Sequence, residues 1–123
     1  MKFRSDLNNG FSKRKLRYRR KTHNLNGLLQ IHHVVPKSLA DHPTLSRYQY
    51  DVDAGYNLIL LPTKKGAEVL NVRHTRPIHD GGHPAYNRFC LDELNACYSF
   101  DCFCAYLLLL HMGCRGRSVI PWK

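Results

Sequence analysis

Apolar positions fall in short, well-separated groups along the chain, and the first two groups end at prolines. Leu28, Leu29, Ile31, Val34 and Val35 form a run closed by Pro36; β-branched residues leading into a proline predict a strand. Tyr56 to Leu61 forms a second strand-like run, stopped by Pro62, with Asn57 at its mouth. In the third group Tyr86, Phe89, Cys90, Leu94 and Cys97 recur at spacings of three or four, the stripe of a helix running through Asn95. His83-Pro84 opens that helix, because proline suits the first helical turn. The stripe would pack the helix onto the two strands. A fourth group, Ala105 to Leu110, reads as a buried helix segment and is far shorter than the roughly 20 residues that span a bilayer.

The polar stretches between these groups predict an α+β domain with the order strand, strand, helix. Residues 1–26 form a basic arm with a short helix at Ser12 to Arg20, and residues 27–123 form the folded domain. Pro36 to Gly55 reads as a connection, with a short helix through Ser38, Leu39 and Ala40 and turn chemistry at Asp53 to Gly55. A helical turn is expected at Gly66 to Leu70, and Gly81-Gly82 permits a sharp turn before His83.

Charge changes this picture by naming a partner class. Nineteen Lys and Arg against nine Asp and Glu leave a net charge of +10 on 123 residues, which favours a polyanion through counterion release. Nucleic acid is the leading partner, DNA first. Arg14, Arg17, Arg19 and Arg20 in the arm, docked as a helix or solvated as a tail, are candidate phosphate contacts, as are Arg73, Arg76 and Arg88 farther on. The N-terminus lacks the apolar core of a signal peptide, so the expected location is intracellular, in the cytoplasm or nucleus of a host cell, or virion-associated, with no membrane partner. Five cysteines, all in the last third, are expected to be reduced; Cys97, Cys102, Cys104 and Cys114 with His111 are an alternative structural zinc set.

Eight histidines must then be weighed one by one. His23 lies in the arm, His42 precedes a proline in a loop, and His111 ends an apolar helix, where a cation suits the negative end of the dipole. None of these three is expected to act in catalysis. His79 and His83 are one helical turn apart, or face each other across a glycine turn, and either way can reach one metal. His32 can supply a third ligand, with His74 in reserve. Such a site calls for one divalent ion (Mg, Mn, Ni or Zn), imidazoles suiting zinc and other first-row ions while magnesium prefers oxygens, and it leaves positions open. Adjacent strand residues face opposite ways, so His33 is left as a neutral imidazole able to take a proton from water. Asn57, on the neighbouring strand, can orient it.

These residues carry a family resemblance. The stretches IHHVVPKSL, YNLILLP and HDGGHPAYNR, in that order, are similar to the HNH and endonuclease VII superfamily, most closely its AHH-type branch, over about Ile31 to Leu94. The resemblance implies a ββα-metal finger, a short antiparallel hairpin plus helix, with flanking helices added. It further implies His32 as metal ligand, His33 as general base, Asn57 as the residue holding the base, and His79 and His83 as ligands around the start of the finger helix, His83 above all. Ile31 stands where the branch has Ala, and the basic arm and cysteine-bearing end lie outside the resemblance. The implied activity is metal-dependent hydrolysis of phosphodiester bonds. A basic nucleic-acid-binding module with a structural zinc is the alternative. As a nuclease the chain fits a phage, viral or mobile-element enzyme, or a toxin domain restrained by an acidic immunity protein; a homodimer would let two sites cut both strands.

Overall fold

A computed structural model describes residues 13–70, 77–79, 82–116 and 120–122. Its elements are α1 (Lys13–Thr22), β1 (Leu29–His33), α2 (Pro43–Arg47), β2 (Leu58–Pro62), α3 (Lys64–Val69), α4 (Pro84–Ala96) and α5 (Phe100–Cys114), with single 3-10 turns at Lys37–Leu39 and Gly55–Asn57. The class is α+β, and the hairpin followed by α4 agrees with a ββα-metal core. Arg73, His74 and Arg76 lie outside the described residues. Among the described residues no helix is long and apolar enough to cross a membrane.

β1 and β2 pair antiparallel, with Leu29 opposite Pro62 and His33 opposite Leu58. Pro62 has no N–H to continue the ladder, and the chain turns there into α3. Thr63 makes that corner. Its N–H donates to the Leu28 carbonyl at 2.9 Å, its hydroxyl donates to the Gly27 carbonyl at 2.8 Å, and its Oγ1 caps α3 by accepting from Gly66 N at 3.0 Å. The corner is tight enough to require glycine at 66, where a Cβ would lie 1.8 Å from the Leu28 carbonyl oxygen.

The helix expected in the basic arm is docked. Leu16 is its buried residue, and the Arg20 guanidinium donates to Asn26 Oδ1 at 3.1 Å and to the Leu29 carbonyl at 3.2 Å. Arg14, Arg17 and Arg19 remain on the exposed side. Arg20 is thus held against the hairpin rather than presented outward with them.

The segment between the strands is more than a connection, because it builds α2 and supplies core residues. His42, read from sequence as a bland loop residue, caps α2: its Nδ1 accepts from Thr44 N at 3.1 Å, so Nε2 carries the proton and donates to Asn95 Oδ1 at 2.7 Å. Thr44 Oγ1 adds a bond to the Leu94 carbonyl at 3.1 Å. Leu45, Tyr48, Tyr50 and Val52 then enter one core with Val34, Val35, Tyr86, Cys90, Leu94, Phe103, Tyr106 and Leu110. The stripe of α4 is buried as expected, but not against the strands alone. Tyr86 reaches the chain leaving β1, where its hydroxyl donates to the Val34 carbonyl, and the rest of the stripe joins the aromatic segment and α5.

Burial in this core keeps the thiols protonated, pushing Cys90 and Cys97 up to about 12. All five cysteines are unbridged. Cys97 and Cys102 lie 3.6 Å apart, yet among the described residues the cysteines do not gather with His111 as a metal set.

His111 also departs from its expected cationic state. Burial lowers it to about 4, with the Arg115 charge acting in the same direction, and Arg115 Nη1 donates to its Nδ1 at 3.0 Å. Its folded value lies below its unfolded value of 6.5, so the unfolded chain binds the proton first as pH falls. Its contribution is complete above 6.5 and is lost as pH falls from there towards about 4. Denaturant titrations across that window should show His111→Gln with a shallower loss of stability than the wild type, by at most about 1.4 kcal/mol per pH unit. Parallel curves for the two proteins would refute this assignment.

Candidate metal centre and nuclease site

Period-two geometry sends His32 and His33 to opposite faces of β1, and the two faces meet different surroundings. His32 points inward and is 2 % exposed. His79 comes from the segment before α4, with its N–H bonded to the Pro62 carbonyl at 2.7 Å, and His83 stands at the N-cap of α4. The three rings form a triangle, with centroids 5.6 Å apart for His32 and His79, 5.3 Å for His32 and His83, and 5.5 Å for His79 and His83. One ring nitrogen from each lies within 4.8 Å of the others.

The chemistry of this triangle fits a metal ion. His32 Nε2 is buried without a hydrogen-bond partner among the described residues, which would be costly in a core of no other purpose. Burial first, then the neighbouring histidines, lower His32 to about 3, so the ring keeps its lone pair at neutral pH. His79 is lowered by the same two causes in the same order. His83 Nδ1 faces Asn87 Oδ1 at 3.2 Å; an amide oxygen only accepts, so Nδ1 carries the proton and Nε2 is left for a ligand bond. Asn87 was not singled out from sequence, although its position one helical turn after His83 is the signal that could have found it. Three imidazoles suit zinc and other first-row ions and leave coordination positions open.

His33 faces the other way, and its partner is not the expected one. Its Nε2 lies 2.9 Å from Asp53 Oδ1. A carboxylate accepts only, so Nε2 carries the proton and Nδ1 is the basic nitrogen. The His33 hydrogen bond, then the Lys37 ammonium 3.9 Å away, hold the Asp53 carboxyl below its usual range. Among the described residues the Asn57 side chain bonds to other groups and not to His33. Its amide is fully buried and bonded to main chain and tyrosine: Oδ1 accepts from Val35 N at 2.8 Å and from the Tyr50 hydroxyl at 2.7 Å, and Nδ2 donates to the carbonyls of Val35 at 3.0 Å and Val52 at 2.7 Å. The reason is that the chain leaving β1 has buried polar groups to satisfy, and Asn57 is the side chain that meets them. It thereby ties the turn after His33 to the loop that carries Asp53.

A cleft of about 240 Å³ opens on both groups, lined by His32, His33, His79, His83, Lys37 and Asn87, with Ser38 at its side. Of the expected nucleic-acid contacts outside the arm, Arg88 is exposed and paired with Asp92 at 3.3 Å, one turn along α4.

No curated protein and no solved structure matches the chain. A sequence model of one protein family does, over residues 15–101, a span that holds the hairpin, all three triangle histidines, His33 and α4. The matched span contains the sequence Ile31-His32-His33, and the family's description names a conserved AHH. Because the match covers most of the chain and contains the whole site, the protein belongs to the AHH family, a nuclease family of the HNH/ENDO VII superfamily.

Proposed function

We propose that this nuclease is a metal-dependent endonuclease that hydrolyses phosphodiester bonds in DNA, with His33 as general base and His32, His79 and His83 as the ligands of one divalent ion. The observation that carries the reading is the pairing, on one two-residue stretch of β1, of a buried imidazole whose Nε2 has no hydrogen-bond partner among the described residues and a partly exposed imidazole oriented by a carboxylate. A structural zinc site alone has no use for the second. Nδ1 of His33 takes the proton of the attacking water, and Asp53 holds the tautomer and balances the imidazolium that forms. A divalent ion bound by the triangle would neutralise the scissile phosphate and assist the leaving oxygen. Lys37, a cation on the cleft, meets a phosphate oxygen, and the exposed arginines of α1 hold the flanking backbone, so binding is salt-dependent with little sequence preference. Manganese, nickel or zinc are better suited than magnesium to an all-imidazole set.

The test is nicking of supercoiled plasmid with Mg²⁺, Mn²⁺, Ni²⁺ or Zn²⁺, with and without chelator. Cleavage is expected with at least one transition ion, lost on chelation and restored by excess metal. Intact plasmid with every ion would overturn the proposal.

A further inference from the structure

The C-terminal residues 120–122 lie beyond the span that the family comparison covers, yet they reach the histidine triangle. Trp122 is the only tryptophan of the chain. Its ring centroid is 4.7 Å from that of His83, 5.2 Å from His32 and 5.0 Å from Tyr86. Its Nε1 donates to the Ile78 carbonyl at 2.8 Å. That carbonyl belongs to the same peptide unit as the His79 N–H, which donates to Pro62 at 2.7 Å. One peptide group is therefore held at both ends, by β2 and by the tail, directly before the His79 side chain. The tail has its own anchor. Ile120 packs so closely on Gly113 of α5 that a Cβ there would meet three of its side-chain atoms at 2.5 to 2.9 Å.

We infer that residues 120–122 are a strap that positions the metal centre: Trp122 walls the triangle beside His83 and His32, and by clamping the Ile78–His79 peptide it sets where His79 stands. Trp122 is a positioning residue, not a ligand. The inference rests on reading the triangle as a metal site. Groups that orient metal ligands from the next layer out change affinity by about 10–100-fold when removed, and Trp122 acts on two ligands by packing and on a third through its main chain.

The test is calorimetric titration of the full chain with Ni²⁺, Mn²⁺ and Zn²⁺, with Trp122 fluorescence followed in parallel. In the wild type, Ni²⁺ should quench the tryptophan with the same dissociation constant that calorimetry reports, because the indole lies against the ligand rings. Trp122→Ala should weaken binding by about 10–100-fold. Trp122→Phe keeps a ring and loses the N–H, and should fall between the two. Gly113→Ala, which lies outside the triangle but displaces Ile120, should weaken binding in the same direction. Should Trp122→Ala not fold, the Phe and Gly113 variants decide by the same criterion. Wild-type affinity in the variants, with metal still bound by the wild type, would overturn the strap alone. A wild type that binds none of the ions would overturn the strap and the metal reading together.

Discussion

His33→Ala is expected to lower the nicking rate by about 10²–10⁴-fold, the usual contribution of a positioned general base, while leaving metal affinity nearly unchanged. The separation follows from geometry. His33 is not among the three histidines whose ring nitrogens converge, and among the described residues its one hydrogen-bond partner is Asp53 Oδ1 at 2.9 Å, so truncation removes a proton acceptor without removing a member of the triangle. Asp53→Ala should cost less, about 10–100-fold, because the imidazole survives but loses the group that selects its tautomer. Asp53→Glu should recover part of that loss if its carboxylate reaches Nε2. Plasmid nicking under saturating metal, with calorimetry on the same preparations, checks both parts. A His33→Ala protein that cuts at the wild-type rate would remove the base assignment, and one that cuts slowly because metal no longer binds would reassign His33 as a ligand.

The second large effect is the mirror image. His83→Ala should abolish stoichiometric metal binding, and cleavage with it. Of the three proposed ligands His83 is the cleanest to remove, because it stands half-buried at the start of α4, whereas His32 is enclosed by the rings of His79, His83, Tyr86 and Trp122 and its loss would leave a cavity. Asn87→Ala should reproduce the effect in weaker form, about 10–100-fold in affinity, since it fixes the His83 tautomer from 3.2 Å without contributing a ligand. Calorimetric titration with nickel or zinc measures both. Metal bound by His83→Ala as tightly as by the wild type would take His83 out of the site.

The family match and the arrangement of the site also bear on how the arm is used. α1 is tied to the hairpin by Leu16 and Arg20, so its exposed arginines are carried by the same body as the cleft. On the proposed function, a helix held in this way would present its positive charge to a phosphate backbone at a fixed distance from the cleft, which a solvated tail would not.

Much of this molecule was legible along the chain. Pro62 marked where β2 ends, because a residue without an N–H cannot extend a ladder, whereas β1 stops at His33, before Val34, Val35 and Pro36, and the three-and-four spacing from Tyr86 to Cys97 marked α4. The period of two predicted that His32 and His33 would meet different surroundings, and His32 is buried while His33 is partly exposed. His42 and His111 have partners that spacing does not show: His42 caps α2 and bonds Asn95, and burial with Arg115 beside it keeps His111 neutral. The short helix α2, five residues long, carries too little periodicity to stand out from a loop.

What the sequence by itself determined is therefore the local set: two strands, the finger helix, the histidines that converge and the one that does not. Only the tertiary structure decided which groups support them. Asn57 could have served an imidazole or a main chain with equal chemistry, and the buried N–H and C=O groups after β1 took it, because an unsatisfied buried peptide group costs more than an imidazole left to an exposed carboxylate. Asp53, Asn87 and Trp122 then occupy the places around the site. Spacing fixes which residues share a face, but a hydrogen-bond partner is chosen by competition among all the polar groups that folding brings together, and that competition has no counterpart along the chain.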